Sequence, residues 1–200
     1  MNKIEEIYNH SLNLLSDVGI KLKHLEVLDI LAENDIKIDE ETAFFTREQV
    51  ENWISKAPES FTLYARNPAY NIVIGTQHQY FMAGYGCAAI YDKDGMARDS
   101  LLSDYIRFAR LVHQCGHFSI NGGILAQPND VPAETSHLVM LYAAMITSDK
   151  CLMGIPGNEN QMTQIMEMAA LLYGGRSVLD KTPRILTMVS TISPLLIDEM

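Results

Sequence analysis

His113, Cys115 and His117 stand at alternate positions, and an uninterrupted helix would put both histidines on one face, as zinc ligands sometimes are. Gly116 and the apolar run from Phe118 argue against a continuous helix, and a tetrahedral site needs further ligands that have no evident spacing. No metal site is assigned. Covalent catalysis finds no G-x-S-x-G, and Cys87 lacks a spacing-defined base. The carboxylate pairs Asp92 with Asp94 and Glu40 with Glu41 lie in turn-like, polar stretches and read as solvated surface. Gly84-Tyr85-Gly86 resembles the opening of a dinucleotide-binding turn, but Cys87-Ala88-Ala89 and more extended chain follow where a helix is required. Met162, Met166 and Met168 read as core and surface filler.

The elements that must position any chemistry fall into two textures. Up to about residue 60 the pattern is helical. Ile4, Ile7, Tyr8, Leu12, Leu15 and Val18 recur at helical spacing before Gly19. A second set is Leu25, Leu28, Leu31 and Ala32, and Thr46 with Gln49 forms a capping box ahead of Val50, Trp53 and Ile54. Residues 36–46 are loop or short strand. From Phe61 the chain alternates: residues 61–65 and 72–74 read as a hairpin around Arg66-Asn67-Pro68, and Asp92-Lys93-Asp94-Gly95 turns between two further extended stretches.

Beyond that point an apolar run, a small-residue turn and a helical pattern repeat. The runs begin near Phe81, Phe118, Cys151 and Arg184, spaced 37, 33 and 33 residues apart, about one strand and crossover helix each. The helices carry Leu102, Tyr105, Ile106, Ala109 and Val112; then Leu138, Leu141, Tyr142 and Met145, with His137 on the polar face; then Met162, Ile165, Met166, Ala169 and Leu172 after an Asn158–Gln161 capping box. A fourth helix is expected to begin after Ile192-Ser193-Pro194. Regular βα units mean a parallel sheet. Four of them make either an open doubly wound sheet or half of a closed barrel, and an eight-unit barrel needs about 250 residues. The expected organisation is a helical segment over 1–60, a hairpin and first barrel strand over 61–98, and βα units over 99–200.

Composition bounds the partners. The 200 residues are 48% hydrophobic and 20% charged, which suits a folded chain. Fifteen basic against 25 acidic residues give a net charge of −10, which repels nucleic acid and anionic membrane surfaces. No apolar stretch reaches the roughly 20 residues of a membrane span, and residues 1–8 lack signal-peptide character. Three cysteines without C-x-x-C spacing fit free thiols in a reducing, cytoplasmic setting.

Residues 61–68 (Phe-Thr-Leu-Tyr-Ala-Arg-Asn-Pro), 99–111 (Asp-Ser-Leu-Leu-Ser-Asp-Tyr-Ile-Arg-Phe-Ala-Arg-Leu), 127–132 (Gln-Pro-Asn-Asp-Val-Pro), Asp149-Lys150 and Ile192-Ser193-Pro194 together resemble the trimethylamine methyltransferase family. The resemblance runs through the whole chain. It implies an N-terminal helical segment followed by a (β/α)8 TIM barrel, of which this chain would hold about the first four βα units, since family members are more than twice as long. It further implies removal of a methyl group from a tertiary amine or quaternary ammonium compound and its transfer to the cobalt of a corrinoid carried by a separate protein. One branch of the family carries pyrrolysine in the later part of the barrel; the larger branch, without it, includes enzymes for glycine betaine, and the breadth of that branch favours it.

A barrel site lies at the C-terminal ends of the strands, which draws attention to Tyr85, Asn121, Gln127 and Ser190 as candidate substrate-binding residues. Each has a second reading: Tyr85 as a filler of the rim, Asn121 as a turn residue before Gly122-Gly123, Gln127 as a loop cap ahead of Pro128, Ser190 as a small core residue. Gly84, Gly86, Gly122, Gly123 and Gly154 either admit the corrinoid closely or supply positive φ. Two alternatives stand beside this reading: an inactive half-barrel that self-associates into a homo-oligomer through its open sheet edges, and a different barrel enzyme with zinc at His113 and His117.

Overall fold

The computed structural model describes residues 2–75, 77–188, 192 and 195–197, and Ser190 lies outside them. The chain divides into two compact units, Met1–Pro58 with Val189–Met200, and Glu59–Met188.

In the first unit α1 (Lys3–Asp17), β1 (Ile20–Leu22), α2 (Leu25–Glu33), β2 (Lys37–Asp39), β3 (Thr42–Phe44) and α3 (Arg47–Ser55) follow in order. α1 and α3 each begin with a complete capping box: Asn2 with Glu5, and Thr46 with Gln49. The strands form an antiparallel β1-β3-β2 sheet around Leu22, Leu28, Ile36 and Ala43. Within residues 36–46, Lys37–Asp39 and Thr42–Phe44 are therefore short paired strands about a turn at 40–41, and the segment is more than helical. Leu196–Ile197 adds to this sheet parallel to β1, so strand stands where the sequence pattern suggested an opening fourth helix. Ser193, Pro194 and 198–200 lie outside the described residues.

The second unit opens with a hairpin of β4 (Phe61–Leu63) and β5 (Ile72–Ile74), joined through a single 3-10 turn at Pro68–Tyr70. Then come β6 (Phe81–Met82), a second hairpin of β7 (Ala89–Tyr91) and β8 (Ala97–Asp99), α4 (Leu102–Gln114), β9 (Phe118–Gly122), α5 (Ala133–Thr147), β10 (Cys151–Met153), α6 (Glu159–Tyr173), α7 (Arg176–Leu179) and β11 (Ile185–Leu186). Strands β6, β9, β10 and β11 are parallel and hydrogen-bonded in chain order. That order never reverses, whereas a doubly wound sheet reverses at its switch point. The molecule is thus mixed α/β, with a parallel sheet whose strands end on one rim.

Alternation gives the sheet two different faces. Leu152 points to helices α5 and α6, packing with Leu141, Ala144 and Ile165. Ile120, Cys151 and Met153 face the other way and pack with Leu63, Ala65 and Ile72 of the first hairpin. α5 lies between α4 and α6 and is buried along both flanks. His137 is accordingly 4% exposed, its Nε2 2.9 Å from Gln164 Oε1, and is no polar-face residue. Tyr142 instead turns to solvent.

Two latches fix the ends of the sheet. At the N-terminal end of β10, Lys150 is buried and its ammonium donates to the carbonyls of Val112 (3.0 Å), Cys115 (2.8 Å) and Phe118 (2.7 Å). All three protons are used, and two acceptors, the carbonyls of Val112 and Cys115, lie at the C-terminal end of α4, where a cation is favoured. Asn67 donates to Asp149 from its backbone (3.1 Å) and its amide (3.0 Å), and Arg66 donates to Met145 O (2.9 Å). The first hairpin is thereby tied to α5 and β10.

At the opposite end, Arg98 forks onto both Asp104 oxygens at 2.7 and 2.8 Å, and Asp104 also accepts from Leu101 N at 3.0 Å. Ser100 donates to Gln127 O, Asn129 bridges Ala88 O, Ser100 O and Gln127 O, and Asp130 accepts from Leu102 N at 2.8 Å. The loop after β9 is sewn to the start of α4.

Replacing Lys150 by Met keeps the stem but removes three hydrogen bonds and leaves the buried Val112 carbonyl without its side-chain donor, so urea unfolding should show a loss of about 2–4 kcal/mol. Hydrogen bonds from Arg98, together with that from Leu101 N and against the opposing effect of burial, hold the Asp104 carboxyl at about 2, below its ordinary 3.8. A depressed acid stabilises the fold above its unfolded value and loses that contribution as pH falls toward the folded one. Thermal unfolding should therefore weaken between about pH 4 and 2 in the parent, and Arg98→Ala should be less stable at pH 7 and flatter across that window.

Candidate functional site

The rim at the C-terminal ends of β6, β9 and β10 is built by two loops lying side by side. Gly86 N donates to Ile124 O at 2.7 Å and Gln127 N to Cys87 O at 2.8 Å, so residues 85–88 run along 123–127. Tyr85 and Gln127 are brought to neighbouring loops in this way. Tyr85 packs with the Ile120, Cys151 and Met153 cluster, on the sheet face away from the helices.

Gly123 makes that position available. Its φ is +68°, and a Cβ there would lie 2.7 Å from Tyr85 Cε2 and 3.0 Å from Cδ2. Its carbonyl accepts from the hydroxyl of fully buried Tyr105 at 2.9 Å and its N–H donates to Met153 O at 2.8 Å. Sequence reasoning placed Tyr105 on the apolar face of its helix and missed the phenol's reach to the rim; apolar periodicity carries no sign of it. The Tyr85 hydroxyl is buried and makes no hydrogen bond among the described residues, and burial raises its pKa. The Gln127 side-chain amide likewise makes no hydrogen bond among the described residues, although its backbone N–H and carbonyl are both held.

Asn121 belongs elsewhere. It is 1% exposed, its Nδ2 donates to Ala109 O of α4 at 2.9 Å and its Oδ1 accepts from Gly122 N at 2.8 Å. Alternation along β9 sends it toward the helices, so its amide ties sheet to α4.

The five glycines divide by what surrounds them. A Cβ at Gly122 would meet Met153 O at 2.6 Å, and one at Gly154 would meet Ile185 Cγ2 and Thr187 Cγ2 at 3.0 and 3.1 Å. Gly122, Gly123 and Gly154 therefore serve close packing of the chain on itself. Gly84 and Gly86 have nothing within 4 Å of a Cβ position and leave open space beside Tyr85.

A cavity of about 560 Å³ lies next to Gly84 and Cys87, walled by Ile90 and Tyr91 of the second hairpin and Phe108 and Leu111 of α4. Tyr85 does not line it, and its walls offer no charged side chain to orient a ligand. His113 sits 3.3 Å from Ser148 Oγ and 3.6 Å from Asp149 Oδ1, whereas His117 is exposed beyond the end of α4. Among the described residues no three His, Cys, Asp or Glu side chains gather as a metal site, and no helix is long and apolar enough to cross a membrane.

Comparison with known proteins agrees with the residue pattern. A glycine betaine methyltransferase of Desulfitobacterium hafniense (strain Y51) is 35% identical over 198 residues, covering 99% of this chain and 41% of that protein. A trimethylamine methyltransferase of Desulfitobacterium hafniense (strain DSM 10664 / DCB-2) is 28% identical over 197 residues, covering 94% of this chain and 38% of that protein. The chain spans about two fifths of the length of these relatives. The trimethylamine methyltransferase family model matches residues 1–200, and the chain belongs to that family.

Proposed function

We propose that this chain is the N-terminal part of a corrinoid-dependent methyltransferase that takes a methyl group from a tertiary amine or quaternary ammonium compound. The observation that carries the reading is the family match over residues 1–200. The strand order supports the barrel half of it: four parallel strands in unreversed chain order are what the first half of a (β/α)8 cylinder would present, and the active sites of such barrels lie at the C-terminal rim. Segments 61–98 and 99–188 would supply the first wall.

Methyl transfer from a quaternary ammonium is displacement at carbon. The C–N electron pair leaves with nitrogen, which becomes a neutral amine, so no acid or base is obligatory; a tertiary amine donor leaves as a neutral amine only when its nitrogen carries a proton. The corrinoid, carried by a separate protein, would supply a reduced cobalt nucleophile. Open space at Gly84 and Gly86 fits close approach of such a group; Gly122, Gly123 and Gly154, packed against the chain's own atoms, do not contribute to it. The remaining tasks belong to the protein: hold a cation, keep water off it and leave one line of approach free. A phenol ring such as Tyr85 is suited to the first, since a ring within about 6 Å of a cation contributes roughly 0.5–2 kcal/mol. Gln127, on the adjoining loop, has a free amide to orient the rest of the substrate.

Transfer from glycine betaine, trimethylamine and carnitine to free cob(I)alamin, followed by visible absorbance, tests this in a family-length polypeptide that begins with this chain. Transfer from at least one donor is expected, with Tyr85→Ala raising KM several-fold. Absence of transfer from all three contradicts the reading.

A further inference from the structure

We propose that the outward face of α1 is a dimerisation surface whose occupant is the same helix of a second copy of this chain, packed antiparallel. This surface lies in the first unit and is independent of the methyl-donor reading of the rim.

α1 carries apolar residues on two sides. On the inner side Leu12 is buried and Leu15 half-buried. Beside them Tyr8 and Asn9 meet Arg47 of α3, whose guanidinium lies 5.9 Å from the Tyr8 ring and donates to Asn9 Oδ1 at 2.6 Å. On the outer side Ile4, Ile7, Leu14 and Val18 are 72%, 67%, 50% and 53% exposed. With Ser11 they form a row spaced alternately three and four residues apart, the a and d spacing that seats one helix against another. Single apolar side chains on a surface are ordinary; a continuous row along a helix marks a contact. Ser11 is no obstacle within it, because its hydroxyl already donates to Ile7 O at 2.9 Å.

Charge selects the occupant and its direction. Lys3, His10 and Asp17 flank the row on one side, with a cation at one end and an anion at the other. Neither Lys3 nor Asp17 makes an ion pair among the described residues. A parallel copy would set Lys3 beside Tyr8 and leave Asp17 without a cation. An antiparallel copy sets Ile4 against Leu14 and Ile7 against Ser11, and brings Lys3 of each helix beside Asp17 of the other, two ion pairs related by a two-fold axis. Glu5 and Glu6 lie off the row, and Glu6 approaches His10 of its own helix at 4.0 Å. α1 is already folded on its unit and capped by Asn2 with Glu5, so pairing does not have to order the helix. Two short helices bury little area, so the dissociation constant should be on the order of tens of micromolar.

Sedimentation equilibrium of this chain over about 5–500 µM, a range that spans such a constant, tests the pairing, with far-UV spectra and thermal unfolding checking that each variant folds. The parent should pass reversibly from monomer to dimer. Ile7→Asp, at an exposed position, should abolish the dimer. Lys3→Asp or Asp17→Lys alone sets like charges face to face twice and should weaken it about tenfold. Both substitutions suit the helix dipole better than the native residues, so that weakening cannot come from lost helix. Combining the two restores opposite charges and should return the constant to within about twofold of the parent. A parent that stays monomeric leaves the row to another occupant and overturns the inference. So does a dimer indifferent to Ile7→Asp, which forms elsewhere, or a double variant no tighter than the single ones.

Discussion

Parallel pairing in chain order is the constraint from which the rest follows. With Asn121 beside Leu152 and Leu152 beside Ile185, every strand of the sheet ends at the same rim, and every crossover helix must return on the same face. One face is thereby given to helices and the other to the first hairpin. A polar group on the helix side, such as Asn121, is consumed in joining layers. A polar group at the rim on the far side, such as the Tyr85 hydroxyl, has no such use.

The two latches make that rim a defined place. A buried ammonium is costly unless its donors are all occupied. Lys150 meets the condition with three carbonyls and so joins α4, β9 and β10 at a single point. Its neighbours Asp149, Arg66 and Asn67 add the hairpin to the same joint. At the other end Arg98, Asp104, Ser100 and Asn129 hold the loops that carry Tyr85 and Gln127. The words of sequence that carry the family resemblance largely supply these latches, and in this chain those residues join elements to one another.

Much of this was legible from the residues alone. The onsets at Phe81, Phe118, Cys151 and Arg184, the capping boxes at Thr46 and Asn158, and the break in helix after Gln114 are local signals, and local backbone rules decide them. What was missed depends on distant partners. Leu196–Ile197 is strand because Ile20–Leu22, far away in sequence, offers a free edge. His137 is buried because α5 has a helix on each side, which a single amphipathic stripe does not reveal. Glycines 122, 123 and 154 look alike with 84 and 86 in sequence; only the atoms around each separate packing from open space.

The central claim is that the rim at Tyr85 receives a methylated cation. Backbone amide shifts of the nitrogen-15-labelled chain, recorded through a titration with glycine betaine, test it most directly. The account predicts saturable changes concentrated at residues 84–87, 122–127 and 153–155. Changes centred instead on the Lys150 end of the sheet or on the apolar cavity beside α4, or no saturable change at all, would contradict it.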